Sequence, residues 1–213
     1  MKLGEIKIEA LKLMNACVDR DIGIEDLDEI INEEEFRDYM IAMPGAINRC
    51  FADLEEKRVL PLEAYILSAE QGEALGRFRR FLLPDIIPQF GDLERLTYLS
   101  ADGYQGEASF HREGDEILIE DFDADGCYRL LYRPVIPPVT SFSDDAAELP
   151  IPDRIAVWIP QFIKGDLYRG DEPEEASAAR NLYEQQMAQI AAADMLKESR
   201  QRLVRSVYDV MEV

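Results

Sequence analysis

The segment 121–126, with the sequence DFDADG, places aspartates at alternate positions and a glycine at the sixth position. An EF-hand calcium loop begins with the same spacing, but it also needs a carboxylate at its twelfth position, where this chain has Tyr132. The segments on either side alternate apolar and polar residues, which predicts strands instead of EF-hand helices. We interpret DFDADG as a hairpin turn formed by Asp125 and Gly126, with a weak calcium site as the alternative.

His111 is the only histidine of the sequence. A histidine zinc cluster is therefore excluded within one chain, and a Ser-His-Asp or Cys-His site could use only this residue. The sequence contains neither a Walker phosphate loop nor a dinucleotide-binding glycine motif. We predict that the protein is not an enzyme and that it binds no cofactor and no metal.

The net charge limits the classes of partner. The 213 residues include 44 acidic and 23 basic side chains, which gives a formal net charge of −21. Ordinary nucleic-acid binding and docking on an anionic membrane both need basic surface, so neither is expected. The three cysteines, Cys17, Cys50 and Cys127, are widely spaced, and we expect reduced thiols in a cytosolic product.

Two groups of arginines stand out against this acidic background. Arg77, Arg79 and Arg80 form the first group, and Arg200, Arg202 and Arg205 form the second. We interpret both groups as solvated or ion-paired surface, with contact to an acidic partner or to DNA phosphate as the alternative.

The N-terminal part of the chain has helical periodicity. Apolar residues at helical spacing predict an amphipathic helix over residues 3–18, and the strongly acidic stretch 19–38 predicts a solvated helix face or loop. A second helix is predicted over 36–58, where Pro44 is expected to kink the helix or to mark its start.

The pattern changes to period two between residues 63 and 133. Short alternating runs are separated by the turn signals ADG, QG, REGDE and DADG, which predicts a meander of antiparallel strands. The stretch 82–93 contains two prolines and is predicted to form a short helical turn and a loop.

Helical periodicity resumes at Ile151, and Pro160 is expected to kink that helix before it ends at Gly170. Pro173 is predicted to start the next helix, over 173–192. A last, weakly amphipathic segment covers 194–213.

These elements predict an α+β fold, in which N- and C-terminal helices form one bundle and an antiparallel β domain is inserted between them. The predicted domains are the discontinuous bundle, 1–60 and 139–213 with the C-terminal extension 194–213, and the β domain, 61–138.

The stretch 149–187 resembles the C-terminal helices of the head–tail adaptor proteins of tailed bacteriophages, also called connector or head-completion proteins. In that family a proline-preceded helix with an aromatic and apolar stripe leads through a DEP-like turn into a helix with the pattern A-x-x-x-R-x-x-Y/F-E. The matching residues are Pro152, Ile159, Pro160, Gly165, Asp166, Leu167, Tyr168, Asp171, Glu172, Pro173, Ala176, Arg180, Tyr183 and Glu184. The opening helices and the β insertion also fit the layout of the larger members. The packing positions that the resemblance implies are Trp158, Ile159, Phe162, Leu167, Tyr168, Pro173, Arg180 and Tyr183.

The resemblance implies a structural virion protein that forms a ring, usually of about twelve copies, under the portal of the capsid. Such a ring extends the DNA channel without binding DNA specifically and provides the surface on which a tail, tail-terminator or nozzle protein docks. Its location is the head–tail interface of the virion, after assembly in the host cytoplasm. The candidates for portal contact are Met195, Leu196, Arg200, Arg202, Leu203, Arg205, Val207 and Tyr208. The alternative functions are a calcium-binding module at 121–126 and an acidic DNA mimic that inhibits a nucleic-acid-binding enzyme.

Overall fold

A computed structural model of the chain describes residues 1–14, 22–99, 105–120, 122–123 and 126–210. Residues 35, 105 and 196–210 are described by their backbone alone. The chain divides into two compact units. The helical unit consists of Met1–Val59 and Pro138–Val213, and the β unit consists of Leu60–Pro137.

Seven α-helices and eight strands are found in the described parts of the chain. The helices are α1 (Leu3–Leu13), α2 (Leu27–Ile30), α3 (Glu34–Glu56), α4 (Leu83–Ile86), α5 (Asp153–Ala156), α6 (Ile159–Leu167) and α7 (Pro173–Val210). The strands are β1 (Glu63–Leu67), β2 (Glu73–Leu75), β3 (Phe78–Leu82), β4 (Phe90–Leu99), β5 (Gln105–Glu107), β6 (Phe110–Glu113), β7 (Glu116–Glu120) and β8 (Cys127–Pro134). The predicted α+β class, with β strands inserted between N- and C-terminal helices, is confirmed.

The helical unit buries one stripe of each long helix. On α3 the fully buried side chains include Met43, Ile47, Cys50 and Leu54, whose spacing of three or four residues places them on one helix face. The helices α1 and α3 pack against α6 and α7. Both ends of the chain therefore supply the core of the helical unit, as a bundle of short helices requires.

Several predicted boundaries are wrong for local reasons. Pro160 lies in the first turn of α6, where a missing backbone N–H breaks no helical hydrogen bond, so it starts the helix instead of kinking it. Pro44 lies inside α3, which begins ten residues earlier, so it does not mark the start. The segments predicted at 173–192 and 194–213 form one helix, α7, which continues to Val210. The predicted start at Pro173 is confirmed.

The β unit consists of two antiparallel four-stranded sheets that share one core. One sheet has the strand order β1-β8-β4-β5, and the other has the order β2-β3-β7-β6. Phe81 and Ile117 from the second sheet lie in the same buried cluster as Leu96 and Leu130 from the first. The two sheets therefore face each other as a small sandwich, with alternate side chains directed into the core.

Two tight hairpins in the second sheet use glycine in a conformation that other residues avoid. Gly76 lies between β2 and β3 with φ of 63°, and Gly114 lies between β6 and β7 with φ of 61°. Each is the first residue of a two-residue loop, the position at which a type II′ turn requires a positive φ. The turn predicted at REGDE is thus confirmed.

None of the helices in the described part of the chain is long and apolar enough to span a lipid bilayer.

We predict that Leu130→Ala destabilises the β unit much more than Leu131→Ala. Leu130 is fully buried in the shared core, whereas Leu131, on the opposite face of the same strand, is half-buried. A loss of about 2–5 kcal/mol is expected for Leu130→Ala, from lost burial and the cavity left behind. Urea denaturation followed by circular dichroism measures both variants, and equal losses would contradict the assigned alternation of β8.

Candidate functional site

The short helix α6 connects three other helices of the helical unit. The Lys164 ammonium donates a hydrogen bond to the carbonyl of Leu13 at 2.9 Å, and the Tyr168 hydroxyl donates one to the carbonyl of Met14. These two bonds satisfy carbonyl groups at the end of α1 that have no partner within the helix. Lys164 also pairs with Glu175 of α7 at 2.6 Å. Helix α6 therefore fixes the end of α1 against the start of α7.

A second contact joins α6 to α3. The Arg49 guanidinium on α3 donates hydrogen bonds to the carboxylate of Asp166, with Nε lying 3.1 Å from Oδ2. Nε donates to both carboxylate oxygens and Nη2 donates to Oδ2, so two donors of the guanidinium contact the carboxylate and orient the planar pair.

The central feature of the site is a network around the Asp53 carboxylate, which is only 14% exposed. Its Oδ2 accepts a hydrogen bond from the Tyr183 hydroxyl at 2.8 Å, and its Oδ1 accepts one from Arg180 at 3.0 Å. Lys57, one helical turn further along α3, pairs with the same oxygen at 2.5 Å. Glu184 accepts from Arg180 at 3.1 Å and from Lys57 at 3.2 Å. Two acids and two bases of α3 and α7 thus neutralise one another.

The aromatic residues beside this network hold the Arg180 side chain in place. Its guanidinium carbon lies 3.9 Å from the centre of the Phe162 ring on α6, within the range of a cation–π contact. The rings of Phe162 and Tyr183 meet edge to face at 5.1 Å. Gly165 allows this close packing, because an added Cβ would lie 3.1 Å from the carbonyl oxygen of Ala176 and 3.2 Å from Arg180.

Burial shifts the acid–base behaviour of two groups beside Asp53. Desolvation is the largest cause that raises the pKa of the Cys50 thiol from its ordinary value of 9.0 to about 12. The pKa of the Tyr183 phenol is also raised, first by desolvation and then by the neighbouring Cys50 and Asp53. Both groups are therefore protonated at neutral pH, and the phenol serves as a hydrogen-bond donor to Asp53.

This arrangement is suited to holding the helices together. The carboxylates, the guanidinium, the ammonium and the phenol already contact one another, and no bound reactant is needed to satisfy them. Among the residues that the structure describes, no group of three or more histidine, cysteine, aspartate or glutamate side chains is arranged to hold a metal ion.

The structure brings most of the predicted packing residues together. Ile159, Phe162, Tyr168 and Tyr183 are buried, and Arg180 lies between Phe162 and Asp53. Three predicted packing residues are less enclosed. Trp158 and Leu167 are half-buried, and Pro173 is exposed at the first turn of α7.

Most predicted portal-contact residues lie outside the described side chains. Met195 is described and is 65% exposed. The structure gives only backbone for Leu196, Arg200, Arg202, Leu203, Arg205, Val207 and Tyr208, which all lie on α7. The preceding residue, Asp194, pairs with Arg154 at 2.7 Å, so α7 is held to the region of α5 up to this point.

The DFDADG segment, residues 121–126, is named the acidic tip. It lies between the strands β7 and β8 and not between helices. The Asp123 carboxylate accepts a hydrogen bond from the Tyr98 hydroxyl, and the Asp123 backbone N–H donates to the Tyr128 hydroxyl at 3.0 Å. Gly126 packs against the ring of Tyr98, where a side chain would not fit. Asp121 and Asp125 lie outside the described residues, so the weak calcium site remains an untested prediction.

The first arginine group is ion-paired or hydrogen-bonded within the β unit. Arg77 pairs with Glu120 at 2.8 Å, Arg80 pairs with Glu73 at 3.0 Å, and Arg79 donates to the carbonyl of Ala69. The interpretation as ion-paired surface therefore holds for this group. The second group, beyond position 196, is outside the described side chains.

His111 lies on the edge strand β6, where it is exposed and contacts the ring of Phe78 at 6.1 Å. Cys50 is buried and Cys127 is half-buried, and both are free thiols, while Cys17 lies outside the described residues.

Sequence reasoning missed the residues that complete the network. Asp53 and Lys57 have the spacing of a helical ion pair, which is a usable signal, but nothing in the sequence pairs them with Arg180. It also missed the Lys7–Asp145 ion pair, whose two ends are far apart in the sequence and whose ammonium and carboxylate lie 2.6 Å apart. Lys7 is only 6% exposed.

No family model matches the sequence, and no curated protein matches it. The function is therefore inferred from the residues and their geometry.

We predict that Arg180→Ala destabilises the helical unit by about 1–3 kcal/mol, because it leaves the poorly exposed Asp53 carboxylate with one cation fewer. Arg169→Ala is the matched control, since Arg169 is exposed in the turn before α7, and a change within about 0.5 kcal/mol is expected there. Urea denaturation followed by fluorescence of Trp158, the only tryptophan, reports on this unit. Similar losses in both variants would contradict the network's role.

We predict that stability falls with rising pH between about 9 and 12, partly through Cys50. The unfolded thiol loses its proton above pH 9, whereas the folded thiol keeps it up to about 12, so ionisation favours the unfolded chain. The contribution is at most about 1.4 kcal/mol per pH unit. The measured quantity is the slope of unfolding free energy against pH, which is expected to be shallower in Cys50→Ala. An unchanged slope would contradict the assignment.

Proposed function

We propose that the protein is a head–tail adaptor of a tailed bacteriophage, a structural virion protein without enzymatic activity. Copies of the chain form a ring under the portal, usually of about twelve subunits, through which DNA passes toward the tail. The partners are the portal protein, a tail, tail-terminator or nozzle protein, and other copies of the chain. The protein acts at the head–tail interface, and it is made in the host cytoplasm.

The observation that carries this proposal is the junction of α3, α6 and α7. The residues of the adaptor-like stretch 149–187 that the resemblance singles out as packing positions include Phe162, Tyr168, Arg180 and Tyr183, and these side chains contact other helices of the unit. They fasten helices from opposite ends of the chain into one rigid support. A ring that transmits load between two assemblies needs such a support more than it needs a reactive site.

The net charge of −21 supports the same function. DNA that moves through a channel must not be held by its phosphates, and an acidic wall repels phosphate instead of neutralising it.

The two alternative functions explain less. The charge also suits a DNA mimic, but mimicry gives no reason for the contacts that hold the helices together or for the adaptor-like motif. The calcium-module reading is weakened by the strands on both sides of the acidic tip and by the Tyr98 hydroxyl on Asp123.

Helix α7 supports a role for the C-terminal extension. As one helix of 38 residues it spans about 57 Å, at about 1.5 Å per residue. An ion pair between Arg154 and Asp194 holds α7 to the rest of the helical unit at this position. Beyond that point the helix carries Arg200, Arg202 and Arg205, which suit an acidic portal surface.

We predict that deletion of residues 196–213 abolishes portal binding but leaves the helical unit folded. The cut keeps Asp194 and its ion pair with Arg154, so the anchoring of α7 is preserved. Deletion of 211–213 is the matched control, because it removes none of the portal-contact candidates. Co-expression with the portal protein of the same genome, followed by electron microscopy, is expected to show rings of about twelve copies with the full chain and with the control only.

The same experiment separates the competing functions. Unchanged portal binding after the deletion contradicts the role given to the extension. Absence of any complex between the full chain and the portal contradicts the adaptor function itself. A monomer that binds a DNA-dependent enzyme would support the mimic.

A further inference from the structure

The chain segment before α5 lies against the first turn of α1. We name residues 140–149 the strap. Its Ala147 carbonyl accepts a hydrogen bond from the backbone N–H of Leu3 at 3.0 Å, and its Asp145 carbonyl accepts one from the backbone N–H of Gly4 at 2.9 Å. The first N–H groups of a helix have no partner within the helix, so these two carbonyls complete the start of α1.

An ion pair also joins the strap to α1. The Lys7 ammonium lies 2.6 Å from the Asp145 carboxylate, and the two side chains are 7% and 22% exposed. Among the residues that the structure describes, Lys7 is the only charged one that is buried. Two poorly hydrated charges are tolerated because each compensates the other, so removal of either one leaves the other without compensation.

The strap itself buries little apolar surface. None of its residues is buried, and Phe142 is 95% exposed. The residues on either side are fixed, since Val139 exchanges two hydrogen bonds with the side chain of Asn48, at 2.7 and 2.8 Å, and Ile151 is only 5% exposed. A segment with few buried apolar contacts opens at a lower free-energy cost than the core around it.

Helix α1 has other contacts that hold it in place without the strap. The side chains of Lys164 and Tyr168 bond to carbonyls at its far end. Its apolar side is buried through residues that include Ile6 and Leu11. The described partners in the network around Asp53 are side chains of α3 and α7. Opening of the strap therefore leaves the packing of α1, α3, α6 and α7 in place.

We propose that the strap is a conformational switch, which opens from α1 while the rest of the helical unit stays folded. The ion pair of Lys7 and Asp145 holds it closed. In the open state water reaches both charges and the N–H groups of Leu3 and Gly4. A partner that prefers one of the two states shifts the equilibrium by its difference in affinity, so such a partner can act on the strap without unfolding the helices. The proposal does not depend on the adaptor function.

Substitutions of the ion pair test the switch in the full chain. Lys7→Met leaves the Asp145 carboxylate unpaired, and Asp145→Asn leaves the Lys7 ammonium unpaired. In either variant the remaining charge recovers its hydration only when the strap opens, so the open state gains population. The double variant has no charge left to hydrate, and its strap is expected to close again. Lys12→Met is the control, since Lys12 lies on the same helix but pairs with the exposed Glu9.

Chymotrypsin reports on the open state, because it cleaves after aromatic residues and Phe142 lies in the strap. A protease needs a segment that is free of its neighbours, so the rate of cleavage after Phe142 follows the open population when cleavage is slow compared with closing. The wild type and Lys12→Met are expected to be cleaved at the same rate, and each single variant of the pair at least about tenfold faster. The double variant is expected to be cleaved within about threefold of the wild-type rate. Mass spectrometry of the fragments assigns the cut.

Amide hydrogen exchange of the wild type gives an independent measurement, which decides even if a single variant fails to fold. The N–H groups of Gly4 and Leu149 bond between the N-terminal residues and the strap. They are expected to exchange faster than the N–H of Ile47 on α3, and with little dependence on urea below the unfolding transition.

The switch is wrong if Gly4 and Leu149 exchange with the same urea dependence as Ile47, because they are then released only by global unfolding. It is also wrong if folded single variants are cleaved no faster than Lys12→Met, or if the double variant is cleaved as fast as they are.

Discussion

The Asp53 carboxylate is the group on which the arrangement of the helical unit depends. A carboxylate that is only 14% exposed has lost most of its hydration, and it is tolerated only if nearby donors replace the lost water. Arg180, Lys57 and Tyr183 supply those donors from two helices that are far apart in the sequence. The helices α3 and α7 are therefore tied by an electrostatic requirement in addition to their apolar contacts.

The same requirement extends to α6 through Arg180. Its guanidinium satisfies Asp53 and Glu184 with its polar edge and covers the Phe162 ring with its flat face. A lysine could supply the charge but not the planar stacking surface. One side chain thus joins three helices. The segment of α6 and the residue after it also hold the end of α1, through Lys164 and Tyr168.

The sequence predicts those features that depend on local chemistry. Pro173 starts α7, Gly114 starts the turn predicted at REGDE, and the change from helical to strand periodicity near residue 63 identifies the insertion. The turn signal QG was wrong, because Gln105 and Gly106 lie in β5. Predictions failed where two local readings were equally consistent with the residues. Pro160 can kink a helix or begin one, and in the structure it lies in the first turn of α6. The separation of 173–192 from 194–213 was wrong because the alanine-rich stretch between them contains no residue that stops a helix.

Only part of the candidate site could be predicted from the sequence. Aromatic and arginine positions on α6 and α7 follow from the family-like motif, but their partner Asp53 is one of 44 acids in the sequence, and composition alone gives no reason to select it. The pair of Lys7 and Asp145 shows the same limit, because a long-range ion pair leaves no periodic signal. Contacts of this kind become visible only when the chain has brought its two ends together.

The strong acidity makes the use of each cation informative. Within the helical unit, the cations of the site are used to neutralise carboxylates, as at Asp53, Asp166 and Asp194. The second sheet likewise uses Arg77 and Arg80 internally. On the first sheet, Arg133 likewise pairs with Glu94 at 2.7 Å. Because only 23 basic side chains are available for 44 acidic ones, the remaining acids keep the surface acidic, and such a surface repels DNA phosphate.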